Sequence, residues 1–518
     1  MFKHVEEFRE RFYLELKNRV NNDERFAKAA EDASLRILYI ILPDDNFPHI
    51  QMNLFVIENG KIKDIKRIEL REKVKADIII KIYYSDFMRI ALGKKKVSIK
   101  DLLKGRVKIK GLSLLRKFRD AFDIINEHLI KLAKEVKGKI VLLMGRNDIY
   151  LPNIHIGEKS RDFLTGINGR ILLISDEGIK RSGLLNDVQE LLNIGDAEVF
   201  AFTDIEPEPD IETLEKCYDF ANKIKPNTII GLGGGSSMDI AKAVSIMIEN
   251  KIDIRELDPT MNIRREKVKL ILIPTTSGSG SEATWISMIR DKDGRKLVLA
   301  HRAMLPDLVI IDPFFVKTLP KSVIATSGLD ALTHAIESVL GWWSNEFVYN
   351  LAIRSLKLII ENLPKSYKGD EKAREMMHYA AHLAGIAAGN SQATLSHGLG
   401  HAIGSVFNIP HGIAVSVVLP YVLQYYSKKD DLFERLLLDL GMSSLRDLAE
   451  EVKNIIKSVD GNISLAELIE EDLFYERMER VVNLAEEDPT TYMGPRLPTR
   501  EELKMILEKA YIGEDINF

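Results

Sequence analysis

The spacing of hydrophobic and polar positions changes twice along the chain. At the start, Phe12 and Leu16 share one face of a helix-spaced segment, and the β-branched run Ser34–Leu42 follows. Two further apolar runs flank Asn59-Gly60, a pair that accepts positive φ and so predicts a hairpin. The pattern goes on to predict a strand over Ala76–Tyr84, short helices over Asp86–Gly93 and Ser98–Lys104, a strand over Arg106–Lys110 and an amphipathic helix from Leu115 to Leu132. We therefore expect residues 1–138 to form an α+β domain.

In residues 139–321, short buried-type runs alternate with helix-spaced segments. The predicted strands are Lys139–Met144, Gly169–Ser175, Thr228–Leu232 and Lys269–Ile273. Strands that alternate with helices are typical of a parallel sheet, so we expect an α/β domain here. From Ser322 to the end the pattern is almost wholly helical, with breaks at Gly341, 368–370, 428–431 and 458–462. Residues 322–518 are therefore predicted to be an all-helical domain.

Composition narrows the classes of function. The chain has 518 residues, 29% of them charged, and a formal net charge of -4, so nothing in its overall charge favours a nucleic-acid partner. No apolar run is long enough for a signal peptide or a transmembrane segment. The single cysteine, Cys217, fits a reducing, cytoplasmic location. Scarce glutamine and dense charge indicate a thermophilic source.

Two segments of the helical region carry residues that can bind a metal. His397 and His401 are four residues apart, and His411 follows the helix-breaking Pro410. Read alone, this segment fits a metal site or a set of hydrogen-bonded core histidines equally well. Asp330 and His334 show the same spacing on an apolar background. Three imidazoles and a carboxylate without a thiolate suit Fe(II) or Zn(II).

A glycine-rich turn after the strand Thr228–Leu232 is the candidate phosphate site. It contains Gly234, Gly235, Ser236 and Asp239 and leads into a helix. Glycines allow a ligand to approach the backbone closely, and a helix N-terminus offers free N–H groups and a partial positive charge. The turn therefore suits a pyrophosphate, although Ser236 and Asp239 could also cap the helix.

Other polar residues at strand ends are candidates for the rest of a dinucleotide. Asp176 ends the strand Gly169–Ser175, where an acid can bind an adenosine ribose and repel a 2′-phosphate. It favours NAD over NADP, and a helix-capping role is the alternative. Hydroxyls of Thr275, Thr276 and Ser279 follow the next strand and are placed to bind ribose and nicotinamide.

These motifs together resemble the iron-containing (group III) alcohol dehydrogenases. The family has an Asp-x3-His pair, then an HxxxH…PHG segment, and a GGGSxxD turn followed by a lysine, here Lys242. The resemblance implies that Asp330, His334, His397 and His411 are the metal ligands. It also implies that His401 lines the catalytic cleft without binding the metal, and that Lys296, in a hairpin after Asp293-Gly294, contacts the cofactor; an exposed structural lysine is the alternative.

This sequence departs from the family pattern at three places. Ala393 and Thr394 replace a Leu-Gly pair, Ser279 replaces a threonine, and Gly494 replaces an asparagine before Pro-Arg. His378 and His382 have the same four-residue spacing as the other pairs. They match no ligand of the family, so we interpret them as helix-surface or packing residues.

The segment from Ala76 to Gly111 resembles the sterol-carrier-protein type 2 family in its order of strand, short helix and strand. That family has a sheet covered by helices around an apolar tunnel. The resemblance implies a lipid-tunnel-like domain with a fatty-acyl or sterol-like ligand. An α+β domain that only fills its own core, or serves oligomerisation, is the alternative.

The two resemblances together predict a multidomain oxidoreductase with a dehydroquinate-synthase-like α/β nucleotide-binding domain and an all-α metal-binding domain. It would transfer hydride between a primary alcohol or aldehyde, with long-chain or lipid-like ones included, and NAD, with NADP as the alternative, using one divalent metal. We expect a homo-oligomer. Other readings are a maleylacetate reductase or a polyol or hydroxyacid dehydrogenase on the same fold, or a lipid-binding protein with a non-catalytic dehydrogenase scaffold.

Overall fold

The computed structural model describes residues 3–43, 51–69, 72, 74–91, 102, 104–137, 139, 149–257, 261, 263–292 and 296–518. Within these residues, no helix is both long and apolar enough to cross a membrane. Contacts between residues divide the chain into an N-terminal unit, Met1–Asp148 with Pro259–Met261, and a C-terminal unit, Ile149–Asp258 with Asn262–Phe518. The finer division at residues 138/139 and 321/322 stays a prediction.

The N-terminal unit is an α+β structure with one five-stranded sheet. Its helices are α1 (Lys3–Asn21), α2 (Glu24–Ala29), α3 (Tyr84–Ala91), α4 (Leu112–Lys117) and α5 (Arg119–Glu135). Its strands are β1 (Leu35–Leu42), β2 (Gln51–Glu58), β3 (Lys61–Arg67), β4 (Ile78–Tyr83) and β5 (Val107–Lys110). The strand order is β3-β2-β1-β4-β5, and only β1 and β4 run parallel.

The hydrophobic pattern explains how this unit is layered. Phe12 and Leu16 of α1 and Phe122 of α5 are buried against the sheet with Ile37 and Ile80. The hairpin at Asn59-Gly60 is confirmed, and both residues have positive φ, 50° and 75°. The predicted strand Lys139–Met144 and helix Ser98–Lys104 fall mostly outside the described residues.

The C-terminal unit begins with an α/β region built on a parallel sheet. Its strands are β6 (Asn153–Ile156), β7 (Gly169–Ile174), β8 (Ala197–Phe202), β9 (Thr228–Gly233), β10 (Lys269–Pro274), the hairpin β11 (Ile286–Arg290) and β12 (Lys296–Ala300), and β13 (Leu308–Ile311). Its helices are α6 (Glu177–Arg181), α7 (Leu184–Ile194), α8 (Ile211–Ile224) and α9 (Gly235–Asn250). The six-stranded sheet has the order β6-β13-β10-β9-β7-β8, and all its neighbouring pairs are parallel.

The carboxyl ends of the central strands β9 and β10 lie side by side and create the site. Pro274 pairs with Gly233, and the Thr275 N–H donates to the Gly233 carbonyl at 3.0 Å. Gly233 has a φ of 152°, and a Cβ there would lie 2.7 Å from Ser237 Oγ. The glycine turn and the hydroxyl-rich loop therefore leave the sheet at one place, where ligands of parallel sheets bind.

The rest of the C-terminal unit is helical, as predicted. Its helices are α10 (Lys321–Leu340), α11 (Glu346–Tyr367), α12 (Glu371–Ser391), α13 (Leu395–Phe407), α14 (His411–Tyr426), α15 (Glu434–Leu440), α16 (Leu445–Ser458), α17 (Glu471–Glu487) and α18 (Arg500–Ile512). The expected breaks at Gly341, 368–370 and 458–462 are confirmed. At 428–431 the structure also breaks between α14 and α15, where 3₁₀ turns over Ser427–Leu432 are kinked at Lys429, as tighter turns often occur at helix ends.

Candidate active site

Three helices bring the predicted metal ligands together. Asp330 and His334 lie one turn apart on α10, His397 lies on α13, and His411 begins α14. The Nε2 atoms of His334 and His397 are 3.1 Å apart. Asp330 Oδ1 lies 3.5 Å from His411 Nε2 and 3.8 Å from His397 Nε2. Asp330, His334 and His397 offer ligand atoms that all lie within 4.8 Å of one another, a group that does not include His411.

The chemistry of these atoms fits a divalent cation. Asp330 Oδ1, His334 Nδ1 and His411 Nδ1 are buried and make no hydrogen bond within the described residues, which is costly for a carboxylate oxygen unless a positive charge compensates it. Burial lowers the pKa of His334, and burial with the nearby Lys296 ammonium lowers that of His411. Both rings are therefore neutral at pH 7, the form that binds metals.

Glu337 supports this cluster, and the sequence analysis did not single it out. It is fully buried on α10, and its carboxylate lies 2.6 Å from His397 Nδ1. It also accepts hydrogen bonds from the Thr394 hydroxyl and from the N–H groups of Thr394 and Ser396. Burial would raise the pKa of Glu337, but these bonds lower it to about 2. The ionised carboxylate holds the proton on His397 Nδ1 and leaves Nε2 free for a metal.

A local signal for Glu337 existed in the sequence. It follows His334 by three residues on α10, so the two side chains project from neighbouring positions of one helix face. Thr394, one of the departures from the family pattern, is now explained. Its hydroxyl binds the Glu337 carboxylate at 2.6 Å and so supports the cluster indirectly.

His401 lies beside the cluster with a carboxylate partner of its own. Its Nδ1 is 2.7 Å from Asp488 Oδ2, and its ring stacks on that of His411 with centroids 5.3 Å apart. Asp488 also accepts from the N–H and the hydroxyl of Thr490. Burial raises the pKa of Asp488, but His401 and Thr490 outweigh burial and lower it. No local pattern indicates Asp488 as a partner, because it lies 87 residues from His401 in the chain.

The cluster and the predicted nucleotide residues line one cavity of about 490 Å³ in the C-terminal unit. The predicted site residues in its lining are Gly235, Ser236, Asp239, Thr276, Ser279, Lys296, Asp330, His334, His397, His401 and His411. Gly234 is the N-cap of α9, and a Cβ on it would lie 3.5 Å from Thr276. Thr275 is 1% exposed and is not part of the lining.

Asp176 and Lys296 are each held by hydrogen bonds to neighbouring residues. Asp176 caps α6 by accepting from the Ile179 N–H at 3.0 Å, and its other oxygen accepts from the Ser237 hydroxyl at 3.4 Å. The capping alternative is therefore real, and the carboxylate still lies next to the glycine turn. Lys296 donates to Glu208 at 2.9 Å across the cavity wall. Asp293 and Gly294, which precede it in the predicted hairpin, lie outside the described residues.

Asp239 braces the turn and does not cap its helix. Its carboxylate accepts from the Ser281 hydroxyl at 2.5 Å and from the Met288 N–H at 2.8 Å. Lys242, fully buried on the next turn of α9, donates to Ser281 and to the Ile286 carbonyl. No side chain caps the start of α9, so the capping alternative for Ser236 and Asp239 is wrong. The polar groups of Asp239 and Lys242 instead form hydrogen bonds with residues distant in the sequence.

His378 and His382 are packing residues. Both are buried on α12, with 1% and 3% of their surface exposed. His382 Nδ1 lies 3.0 Å from Glu282, and His378 Nδ1 lies 3.4 Å from the Ser277 hydroxyl. They attach α12 to the hydroxyl-rich loop and are not helix-surface residues.

These features define the class of nucleotide-dependent, metal-dependent oxidoreductases. They are a parallel sheet with a glycine turn at its carboxyl edge and, in the same cavity, a buried cluster of a carboxylate and imidazoles.

Comparison with known proteins then gives the family. The profile "Iron-containing alcohol dehydrogenase" matches residues 152–313, and "Fe-containing alcohol dehydrogenase family, C-terminal" matches residues 324–511. The NADPH-dependent butanol dehydrogenase of Clostridium saccharobutylicum is 33% identical over 382 residues, 71% of this chain and 98% of that protein. Long-chain-alcohol dehydrogenase 1 of Geobacillus thermodenitrificans is 35% identical over 287 residues, 54% of this chain and 72% of that protein.

A solved structure supports the same family assignment. The iron-containing alcohol dehydrogenase from Thermococcus thioreducens has a TM-score of 0.67 and 31% identity, and the match covers 71% of this chain and 100% of that chain. The chain belongs to the iron-containing alcohol dehydrogenase family. The predicted class of activity, oxidoreduction of alcohols and aldehydes with NAD(P) and an iron ion, is confirmed, and the other predicted activities are not favoured. Neither profile reaches the N-terminal unit, so its sterol-carrier resemblance stays a prediction.

Proposed function

We propose that the C-terminal unit interconverts primary alcohols and aldehydes, with the metal held by Asp330, His334, His397 and His411. The observation that carries this proposal is the convergence of Asp330, His334 and His397 within 4.8 Å, in the same cavity as the glycine turn. His411 completes the set as a half-buried, neutral imidazole next to Asp330.

Each side chain has a definite task in this proposal. When bound, the metal supplies a Lewis acid for the substrate oxygen and the nicotinamide a hydride acceptor. His401 takes up the hydroxyl proton of the alcohol on Nε2, because Asp488 fixes the other ring proton on Nδ1 and stabilises the resulting imidazolium. Glu337 orients His397 in the same manner.

For the cofactor, we propose that the pyrophosphate lies at the N-terminus of α9. Gly234, Gly235 and Ser236 leave the backbone accessible there, and Thr276, Ser279 and Lys296 contact the remainder of the dinucleotide from the cavity wall. We propose that Asp176 favours NAD, because a 2′-phosphate beside its carboxylate would be repelled. The similar butanol dehydrogenase is NADPH-dependent, so the ratio of kcat/KM for the two cofactors, and its change in Asp176→Gly, tests this point directly.

The roles are tested with three variants of the purified protein, by elemental analysis and by NAD(P)H-linked turnover of a panel of alcohols. His397→Ala should lose metal and turnover together. His401→Ala should keep the metal and lose about 10²–10⁴-fold in kcat, the usual contribution of a general base. Glu337→Gln should weaken metal binding about 10–100-fold, because it removes the partner that orients a ligand. Normal turnover in His397→Ala would refute the ligand assignment.

A second proposal concerns the N-terminal unit. It contains a cavity of about 220 Å³ with mostly apolar walls, among them Leu16, Ile82, Phe122 and Leu129. We propose that it binds a fatty-acyl or sterol-like ligand and that the alcohol or aldehyde substrate is correspondingly long-chain. One similar protein is a long-chain-alcohol dehydrogenase. Because both units belong to one chain, the local concentration of such a ligand would be raised.

Chain length tests this second proposal. We expect kcat/KM to rise from ethanol to dodecanol, and the full-length protein to bind a fatty ligand at the N-terminal unit. A constant kcat/KM together with no fatty ligand bound would contradict the proposal and leave the dehydrogenase assignment intact. We also propose that the protein is cytoplasmic and that it is a homo-oligomer. Gel filtration with light scattering measures the number of subunits.

A further inference from the structure

Polar side chains form part of the wall of the apolar cavity in the N-terminal unit. Among its wall residues, Tyr39 carries a hydroxyl that makes no hydrogen bond within the described residues, and burial raises its pKa. Tyr13 and Asn53 line the same part of the wall, because Asn53 pairs with Tyr39 across β1 and β2 and a hydrogen bond links the side chains of Tyr13 and Asn53. The rest of the wall is aliphatic or aromatic except for Arg119, Asp123 and Asn126 of α5, of which Arg119 and Asp123 form an ion pair at 3.7 Å. A ligand here must therefore be largely hydrocarbon.

A second, polar cavity of about 480 Å³ adjoins the first at Tyr13 and Asn53, which line both. Its charged walls are Glu6, Arg9, Glu10, Lys17, Asp64, Lys66 and Arg67. Four of these are basic and three acidic, so the polar cavity has a small excess of positive charge.

Two guanidinium groups lie beside the junction. Arg9 lies one helical turn before Tyr13 on α1, and Arg67 pairs with Asn53 across β2 and β3. Both residues line the polar cavity with Tyr13, and both guanidinium groups act to lower the pKa of the Tyr13 hydroxyl. Arg9 is paired with Glu6 at 2.9 Å, whereas Arg67 makes no ion pair within the described residues. One guanidinium at the junction is therefore available to an anion.

We propose that the N-terminal unit binds a single-chain amphiphile with an anionic head group, such as a long-chain carboxylate. The hydrocarbon chain lies in the apolar cavity, Tyr13 and Asn53 flank its neck, and the head group is bound by Arg67 and Arg9. This inference rests on the proposed apolar ligand of the N-terminal unit and specifies its chemistry. A guanidinium presents paired N–H donors that match a carboxylate.

This assignment excludes two other occupants of the same cavity. A sterol or a fatty alcohol has a neutral head, which leaves Arg67 without a partner and gains no charge-assisted hydrogen bond. A small anion without a chain leaves the apolar walls unfilled and forgoes the burial that drives binding. Both parts of the ligand are required.

The test uses calorimetric titration of the full-length protein with sodium dodecanoate and with methyl dodecanoate, which has the same chain and a neutral head. Arg67→Gln should raise the Kd for dodecanoate about tenfold or more, because it removes a charged donor, and should leave the Kd for the ester unchanged. Lys61→Gln is the matched control, because it removes a positive charge from the same strand outside the polar cavity. Equal effects of the two variants on dodecanoate would overturn the proposal.

Two further arms complete the design. Leu129→Trp narrows the apolar cavity from α5 and should weaken both dodecanoate and ester, with circular dichroism to confirm that the variant is folded. Sodium acetate should not bind detectably, and binding of acetate as tight as that of dodecanoate would overturn the role of the chain. If the head site accepts any anion, Arg67→Gln should also raise the Kd for dodecyl phosphate.

The outcomes separate this inference from the proposals on which it rests. If the ester binds tightly and Arg67→Gln changes the Kd of neither ligand, the proposed anionic head group is overturned, whereas the proposed apolar ligand is retained. No binding of either dodecyl ligand overturns both. Turnover of butanol, measured on the same preparations, reports independently on the C-terminal unit.

Discussion

Gln392 follows the last residue of α12 and has a backbone conformation that residues other than glycine rarely adopt. Its φ is 73° and its ψ is 158°, a region populated almost only by glycine. The residue lines the active-site cavity, and its Nε2 is buried without a hydrogen bond in the described part of the chain. Strain at such positions costs about 1–3 kcal/mol and persists where the surroundings impose it.

Replacing Gln392 should therefore stabilise the protein. In Gln392→Gly we expect the free energy of unfolding to rise by about 1 kcal/mol, since relief of strain exceeds the ~0.5–1 kcal/mol that glycine costs in the unfolded chain. Thermal unfolding followed by tryptophan fluorescence measures the change. Gln392→Ala keeps the Cβ and should show no such gain, and equal midpoints for the two variants would contradict the interpretation.

At the scale of an element, α12 carries two buried histidines against the hydroxyl-rich loop. Burial lowers the pKa of His378 to about 4, well below the ordinary value near 6.5. Above pH 6.5 the ring is neutral in the folded and the unfolded chain and contributes nothing to pH dependence. As the pH falls from 6.5 towards 4, only the unfolded chain takes up the proton, so stability is lost.

His378 should therefore govern part of the acid sensitivity of the C-terminal unit. The full effect amounts to roughly 3 kcal/mol at low pH, at about 1.4 kcal/mol per pKa unit. In His378→Phe, which keeps a ring and cannot titrate, unfolding midpoints at pH 7 and pH 4.5 should lie closer together than in the wild type. Parallel acid slopes for the two proteins would show that the ring is not kept neutral by burial.

At the scale of the whole molecule, the proposed metal links three helices of one unit. Asp330 and His334 come from α10, His397 from α13 and His411 from α14. A metal that binds only the folded state stabilises it by about 2.7 kcal/mol at a free concentration of 100 Kd. Removing it also leaves the buried Asp330 oxygen without compensation.

Chelation should therefore destabilise the C-terminal unit selectively. All three tryptophans, Trp285, Trp342 and Trp343, belong to that unit, so their fluorescence reports its unfolding alone. We expect the fluorescence midpoint to fall by several degrees after chelation and to recover when Fe(II) or Zn(II) is restored. An unchanged midpoint in protein that elemental analysis shows to be metal-free would argue against a metal that bridges the helices.

Much of the site was predictable because its signals are local. The spacing of Asp330 and His334, and of His397 and His401, places each pair on one helix face. The glycine turn follows its strand directly, and the hairpin at Asn59-Gly60 depends on two adjacent residues. Periodicity of 2 or 3.6 residues is a property of short segments, so it can be read without knowledge of the fold.

Long-range partners could not be predicted in this way. Glu337 reaches His397 across 60 residues of chain, and Asp488 reaches His401 across 87. Asp239 looked free to cap α9, yet folding directs its carboxylate to the Ser281 hydroxyl. These pairings depend on which helices and loops pack together, and no local pattern specifies that.

The amino-acid sequence by itself determined the elements, the hydrophobic faces and the residues able to hold a metal and a dinucleotide, because each follows from neighbouring side chains and backbone preferences. The tertiary structure alone decided the strand order, the convergence of Asp330, His334 and His397 and the carboxylates that orient the imidazoles. It also decided that an apolar and a polar cavity of the N-terminal unit meet at Tyr13 and Asn53. The reason is that burial and hydrogen bonding among distant segments are satisfied only when the whole unit has folded.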